Sequence, residues 1–287
     1  NIKFSFDAKV IFTASGPDGY NTFVIKSDSS LWAFGLNDYY QLGDNSTNNQ
    51  TKPVRIGNDN DWVFAAAGRY NTAAIKADGT LWMWGYNGWG QLGDGTTTTR
   101  TTPKQIGSDK NWVSIAFTQH STLALKSDGT IWSWGHNGNG RLGRGFNGGD
   151  YADIKQIGTS KNWTQISSGS HFSMARQKDG SIFSWGFNNS GQLGDSSTTD
   201  VYSPKKIDKD YIFIACAAET AMGIKKDSTI WAWGNNSQSL YGNGTSSAIK
   251  YPTQTITSKK WKSIALGGIH VIGLQHDGSL WGWGNGT

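Results

Sequence analysis

His120, His171 and His270 stand at matching places of a recurring segment. Three imidazoles converging on one point could bind zinc, which requires Zn–N distances of about 2.0–2.1 Å. The same place holds Tyr20, Tyr70 and Glu219 in the other copies, so the position reads as one that fixes a loop by hydrogen bonding, and no metal ligand is assigned. Asp44, Asp94 and Asp195 each follow a glycine, with Ser or Thr nearby, a composition compatible with a weak calcium loop. No DxDxDG run with a distal Glu is present, and these carboxylates are expected to be solvated turn residues. The 38 glycines form neither GxxxxGK[ST] nor a strand, GxGxxG and helix unit, so no phosphate cradle is expected. There is no GxSxG elbow, no HExxH and no carboxylate pair that stands apart from the repeating Asp-Gly turns, so the expectation is a non-enzyme without a cofactor. Cys216, the one cysteine, cannot form an internal disulfide or a thiolate metal site.

Recognition chemistry is better represented. Tyr39 and Tyr40 in one polar loop align with Trp89 and Gly90 in the next. Tyr86, His136 and Phe187 each precede a shared Asn in three adjacent loops, and Arg141 lies in the same loop as His136. Trp, Tyr and Arg dominate the energetically important positions of protein interfaces. Tyr39, Tyr40, Tyr86, Trp89, His136, Arg141 and Phe187 are therefore the candidate binding residues. The competing reading has the rings folded down over the edges of the underlying sheets.

The elements that must hold these residues follow from a repeat. An aliphatic, aromatic, any, aromatic, Gly pattern ends at Gly35, Gly85, Gly135, Gly186, Gly234 and Gly284, with spacings of 50, 50, 51, 48 and 50 residues. Each copy reads as four short strands, A to D. Strand A is a run of small residues such as Ala65–Ala67, and strand B alternates, as in Asn71–Lys76. An Asp-Gly turn leads into strand C, and Asp-Gly between two alternating runs is a strong hairpin signal. Strand D begins near Pro53, Pro103, Pro204 and Pro252. Proline cannot donate to a ladder, so D is expected at the sheet edge. Small-residue and aromatic strands in a radial array of four-stranded sheets describe an all-β, six-bladed propeller, and one domain is expected over 1–287. The sixth copy lacks a D strand, so Ile2–Phe6 is expected to complete the last blade. Fourteen of the fifteen Trp lie in the LWxWG runs or just before strand A and are expected in the core; Trp89 is the exception.

The loops after strand C read WGLNDYYQLGD, WGYNGWGQLGD, WGHNGNGRLGR and WGFNNSGQLGD. With the DGxLWxWG run, they resemble the regulator of chromosome condensation repeat in its bacterial form, with the GQLGDGT signature, over essentially the whole chain. The resemblance implies a propeller. Members of that family include an exchange factor for a small nuclear GTPase, a secreted β-lactamase inhibitor and a plant ultraviolet-B receptor, so it fixes no single function. Family members commonly have seven blades, against six repeats here, and the fifth copy departs from the motif with Leu240 and Tyr241.

The A to B and C to D loops of an antiparallel blade leave on the same face. The expected function is a non-catalytic module that binds a protein partner through that face, with carbohydrate binding as the alternative and GTPase exchange or chromatin binding as the third reading. A net charge of +5, dispersed along the chain, argues against nucleic acid. No stretch approaches eighteen apolar residues, so no membrane span is expected. Low charge with abundant Asn, Thr and Trp suggests a monomeric secreted or cell-surface domain.

Overall fold

A computed structural model describes residues 10–15, 20–257 and 259–285, with side chains from Tyr20 onward. The fold class is a six-bladed β-propeller, in which chain order within each blade equals strand order across the sheet. The first blade contains β1 (Val10–Ser15), β2 (Asn21–Lys26), β3 (Leu31–Gly35) and β4 (Gln50–Arg55). The second contains β5 (Trp62–Ala67), β6 (Asn71–Lys76), β7 (Leu81–Gly85) and β8 (Arg100–Ile106), and the third β9 (Trp112–Phe117), β10 (Ser121–Lys126), β11 (Ile131–His136) and β12 (Asp150–Gln156). The fourth contains β13 (Trp163–Ser168), β14 (Phe172–Gln177), β15 (Ile182–Gly186) and β16 (Val201–Asp208), and the fifth β17 (Tyr211–Ala217), β18 (Thr220–Lys225), β19 (Ile230–Gly234) and β20 (Ile249–Ile256). The sixth has three described strands, β21 (Trp261–Leu266), β22 (His270–Gln275) and β23 (Leu280–Gly284). The expected closing strand, Ile2–Phe6, lies outside the described residues.

Strand D is the edge strand of each four-stranded blade, as the prolines required, although they sit inside β4, β8, β16 and β20 rather than at their starts. Where the Asp-Gly turn is absent, Ser29 and Ser228 adopt its left-handed conformation, with φ of 59° and 66°. The Asp before each serine makes the same contact as in the Asp-Gly turns, where Asp78 accepts from the Thr80 N–H at 3.0 Å. Asp28 accepts from the Ser30 N–H at 3.0 Å, and Asp227 accepts from the Thr229 N–H at 3.1 Å.

The described residues form two compact units. The first comprises those up to Asp128 with Trp132–His136 and Asp150–Lys155; the second comprises Gly129–Ile131, Asn137–Gly149 and Gln156 onward. In the first unit, Phe23, Leu31 and Leu42 pack with Trp62, Ala65 and Trp84 of the following blade. Met83 and Leu92 likewise pack with Trp112, Ile115 and Trp134. In the second unit, Phe172 and Leu193 pack with Tyr211 and Trp233, while Met222, Leu240 and Tyr241 pack with Trp261. Ala65 and Ala67, small residues of strand A, pack among these rings in the first cluster. Most of the Trp ladder is core, as expected, and Lys76 illustrates how its rim is finished. The Lys76 Nζ lies over the Trp62 and Trp82 rings while pairing with Asp59 at 2.8 Å.

Candidate functional site

Each of the five C to D loops among the described residues is folded around an asparagine. In the second blade, Asn87 Oδ1 accepts the Leu92 N–H at 2.9 Å, and its Nδ2 donates to Asp94 Oδ1 at 3.2 Å and to the Thr96 carbonyl at 2.9 Å. Gln91 then turns its Oε1 to accept the Trp89 N–H at 2.9 Å, which fixes the loop tip. The Gln91 main-chain carbonyl accepts from Trp134 Nε1 of the next blade at 2.8 Å, and Leu92 is fully buried. Leu42, Leu142 and Leu193 are buried at the same place of their loops and anchor them in the same way. In the fifth blade, Leu240 and Tyr241 take over the same work: the Leu240 carbonyl accepts from Trp283 Nε1 at 2.6 Å, and the Tyr241 N–H donates to Asn236 Oδ1 at 3.0 Å.

The aspartates of these loops are not solvated turn residues, contrary to expectation. The side chains of Asp94 and Asp195 are only 5% and 3% exposed. Asp94 is clasped by Arg100, whose Nε lies at 2.7 Å, and by the Thr96 hydroxyl at 2.7 Å. Asp195 accepts from Lys205 Nζ at 2.7 Å and the Ser197 hydroxyl at 2.7 Å. Burial alone would raise both carboxyls, but these hydrogen bonds and the paired cations outweigh it and hold them below the usual range. Sequence spacing does not reveal this pairing, because the cation comes from strand D, folded back over the loop.

The A to B loop is held against the end of strand C. The Tyr86 N–H donates to the Tyr70 carbonyl at 2.9 Å, and the His136 N–H donates to the His120 carbonyl at 3.0 Å. Gly85 precedes Tyr86 with φ of 95°, and a Cβ there would stand 2.5 Å from the Tyr70 carbonyl oxygen. This explains why the LWxWG run ends in glycine in all six copies: only glycine permits both the dihedral and the approach.

These ties assemble an aromatic surface in the first unit. Tyr39 lies 4.7 Å from Tyr70 and 5.5 Å from Tyr86, ring centre to ring centre. Tyr86 makes an edge contact with Trp89 at 5.2 Å, and Trp89 lies 3.9 Å from His120 and 6.5 Å from His136. The Tyr70 and His120 rings are parallel at 6.4 Å, which joins the tyrosine group to the histidine group. His136 Nδ1 is 2.6 Å from Asp150 Oδ1, and the Arg69 guanidinium lies over Tyr70 at 5.0 Å. Tyr39 is 42% exposed, whereas Tyr86, Trp89 and His136 are half-buried. Tyr86 does fold down in part, since a Cβ on Gly88 would meet its hydroxyl oxygen at 2.2 Å.

Four of the seven candidate residues, Tyr39, Tyr86, Trp89 and His136, thus meet in one cluster. Tyr40 is half-buried beside it and has φ of 61°, at a position where Gly90, Gly140 and Gly191 have φ of 70°, 68° and 75°. A tyrosine in that region is strained, and such strain gathers at functional sites. Arg141 and Phe187 belong to the second unit. Phe187 makes an edge contact with His171 at 6.0 Å, and Arg141 is buried. Tyr70 and His120, expected only to fix loops, join the cluster as well. The aromatic residues at their position in consecutive repeats were the available signal. Among the described residues, no group of three His, Cys, Asp or Glu could hold a metal ion.

Comparison with known proteins agrees with the repeat. The family model described as the regulator of chromosome condensation (RCC1) repeat matches residues 28–75, 78–125, 128–176 and 179–222. A second model of the same repeat matches 62–91, 112–141 and 163–192. The chain is similar to human WBSCR16, with a TM-score of 0.82 and 19% identity over 93% of this chain and 72% of that one. It is similar to a chain in the structure of Kap60 bound to yeast RCC1 (Prp20), with a TM-score of 0.83 and 23% identity over 97% and 70%. It is also similar to Prp20p of Saccharomyces cerevisiae, with a TM-score of 0.80 and 24% identity over 97% and 72%. At these identities the likeness to the solved structures is one of fold. The family models cover well over half of the sequence, and the chain belongs to the regulator of chromosome condensation (RCC1) repeat family.

Proposed function

We propose that this propeller is a non-catalytic interaction module that binds a protein partner through the face carrying its A to B and C to D loops. The observation that supports this reading is the continuous cluster of Tyr39, Tyr70, Tyr86, Trp89, His120 and His136 on loops fixed by backbone and side-chain hydrogen bonds. Rigid amphipathic rings lose little entropy on binding, and their polar tips can still hydrogen-bond across an interface. The loops vary in sequence while their Asn, Leu and Gly framework stays constant, which suits a scaffold for recognition. Among the proteins of similar fold, Prp20p has binding properties to Gsp1p and histones.

The test begins with capture of a partner from native extract and its identification by mass spectrometry. Binding is then measured for Trp89→Ala combined with Tyr39→Ala. The expected result is an unchanged circular dichroism spectrum and affinity at least about tenfold weaker, the loss of about 1.4 kcal/mol or more that an interface hot spot carries. Undiminished binding rejects the surface. Binding to a glycan array that disappears in the same variant replaces the protein partner with a carbohydrate.

A further inference from the structure

The third C to D loop breaks the repeat's hydrogen-bond scheme at one residue. In the first, second and fourth loops, Oε1 of Gln41, Gln91 and Gln192 accepts the N–H of the residue two places earlier, at 2.7, 2.9 and 2.9 Å. Arg141 occupies that position in the third loop, and a guanidinium has no acceptor to offer. Its Nε donates to the Gly138 carbonyl at 2.8 Å, and its Nη2 donates to Asn139 Oδ1 at 3.3 Å. The tip keeps the turn of the other loops, with the Gly140 N–H donating to the Asn137 carbonyl at 3.1 Å, but holds Asn139 at φ of 61°. Nη1 has no hydrogen-bond partner, although the residue is only 5% exposed.

Asp200 attracts this guanidinium without pairing to it. Both of its oxygens are engaged elsewhere, Oδ1 by the Asn188 N–H at 3.0 Å and Oδ2 by Asn139 Nδ2 at 2.9 Å. A neutral amide without a partner is ordinary at this repeat position, since Gln91 Nε2 and Gln192 Nε2 are both buried donors of that kind, but an unbonded charged nitrogen is not. A buried guanidinium that no carboxylate contacts directly, with one nitrogen unbonded, destabilises a fold, so a reason for arginine must be sought outside it. The architecture does not supply one. The Arg141 main-chain carbonyl still accepts from Trp185 Nε1 at 3.0 Å, and Leu142 is still buried, so the anchor does not need arginine, and a neutral glutamine would restore the Oε1 contact without burying a charge.

We propose that Arg141 receives a carboxylate from the partner, which takes Nη1 and Nη2 together in a bidentate contact. Guanidinium and carboxylate match in geometry, and the charge-assisted pair is stronger than the neutral bonds of the other loops. The 3.3 Å contact to Asn139 is the one that yields as the tip lifts to admit the acid. This goes beyond the aromatic reading, because it uses residues of the second compact unit and stands whether or not the cluster around Trp89 binds protein.

The experiment needs no partner. Thermal melting of the whole chain is followed in sodium acetate, sodium phosphate and sodium chloride at equal ionic strength, for the native protein and for Arg141→Gln, which restores the repeat's own residue. Acetate should raise the native melting temperature by about 2–4 °C over chloride at several times its dissociation constant and leave Arg141→Gln unmoved. The variant should also melt higher than the native protein in chloride. Equal responses in both proteins, no response in either, or a variant that melts lower in chloride would overturn the proposal. A native-specific rise in phosphate without one in acetate would overturn the carboxylate assignment in favour of a phosphoryl group.

Discussion

Leu280 begins β23 and is 69% exposed, whereas Leu31, Leu81, Ile131, Ile182 and Ile230, which begin strand C in the other five blades, are fully buried. Trp281 beside it is 45% exposed. The difference coincides with a missing neighbour, since β23 has no fourth strand beside it among the described residues. The sequence expectation is that Ile2–Phe6 supplies that strand. If it does, Leu280 is a core residue, and Leu280→Ala costs about 2–5 kcal/mol, the usual loss for deleting a buried leucine side chain. If it does not, the same change lies within about 0.5 kcal/mol, as for other surface substitutions. The assay is guanidinium unfolding followed by Trp fluorescence, for the whole chain and for one lacking residues 1–8, each with and without Leu280→Ala. Closure predicts a lower midpoint on truncation and a coupling energy of about 2 kcal/mol or more between truncation and the Leu280 substitution. A Leu280→Ala cost that is small in the whole chain, or equal in both backgrounds, refutes the closure.

Asp94→Asn should lower stability at pH 7 by roughly 1–3 kcal/mol, the range for losing hydrogen bonds to a charged group. Because the Asp94 carboxyl is held below its usual value, its contribution is present above about pH 4 and is lost as pH falls through the lower folded value, so melting curves of variant and native protein should converge in acid. Tyr40→Gly removes a side chain from a left-handed position and should raise stability by roughly 1 kcal/mol in denaturant unfolding; an unchanged midpoint would mean that ring contacts offset the strain. The Cys216 thiol is pushed up to about 12 by burial, against an opposing hydrogen bond with Ser167, so a thiol reagent at pH 8 should label it only after unfolding. Labelling of the native protein at the unfolded rate would contradict that burial.

The repeat made the six sheets, the edge position of strand D and the burial of most ladder tryptophans readable from residue spacing alone. Periodic glycines, Asp-Gly turns and prolines act on the backbone within a few residues, and six copies of one signal reinforce each other. Tyr39, Tyr86, Trp89 and His136 were also legible, because residues that break a repeat stand out against it. Three matters were decided only by tertiary structure. Tyr70 and His120 enter the aromatic cluster because a carbonyl in one loop accepts an N–H from the end of another strand. Asp94 is buried because Arg100 folds back onto it from strand D. Arg141 is enclosed, not displayed, because its guanidinium turns back onto the Gly138 carbonyl and onto Asn139, which Asp200 of the next blade holds. Local dihedral and hydropathy preferences are written residue by residue, but burial and pairing depend on what the chain brings alongside from other strands and blades.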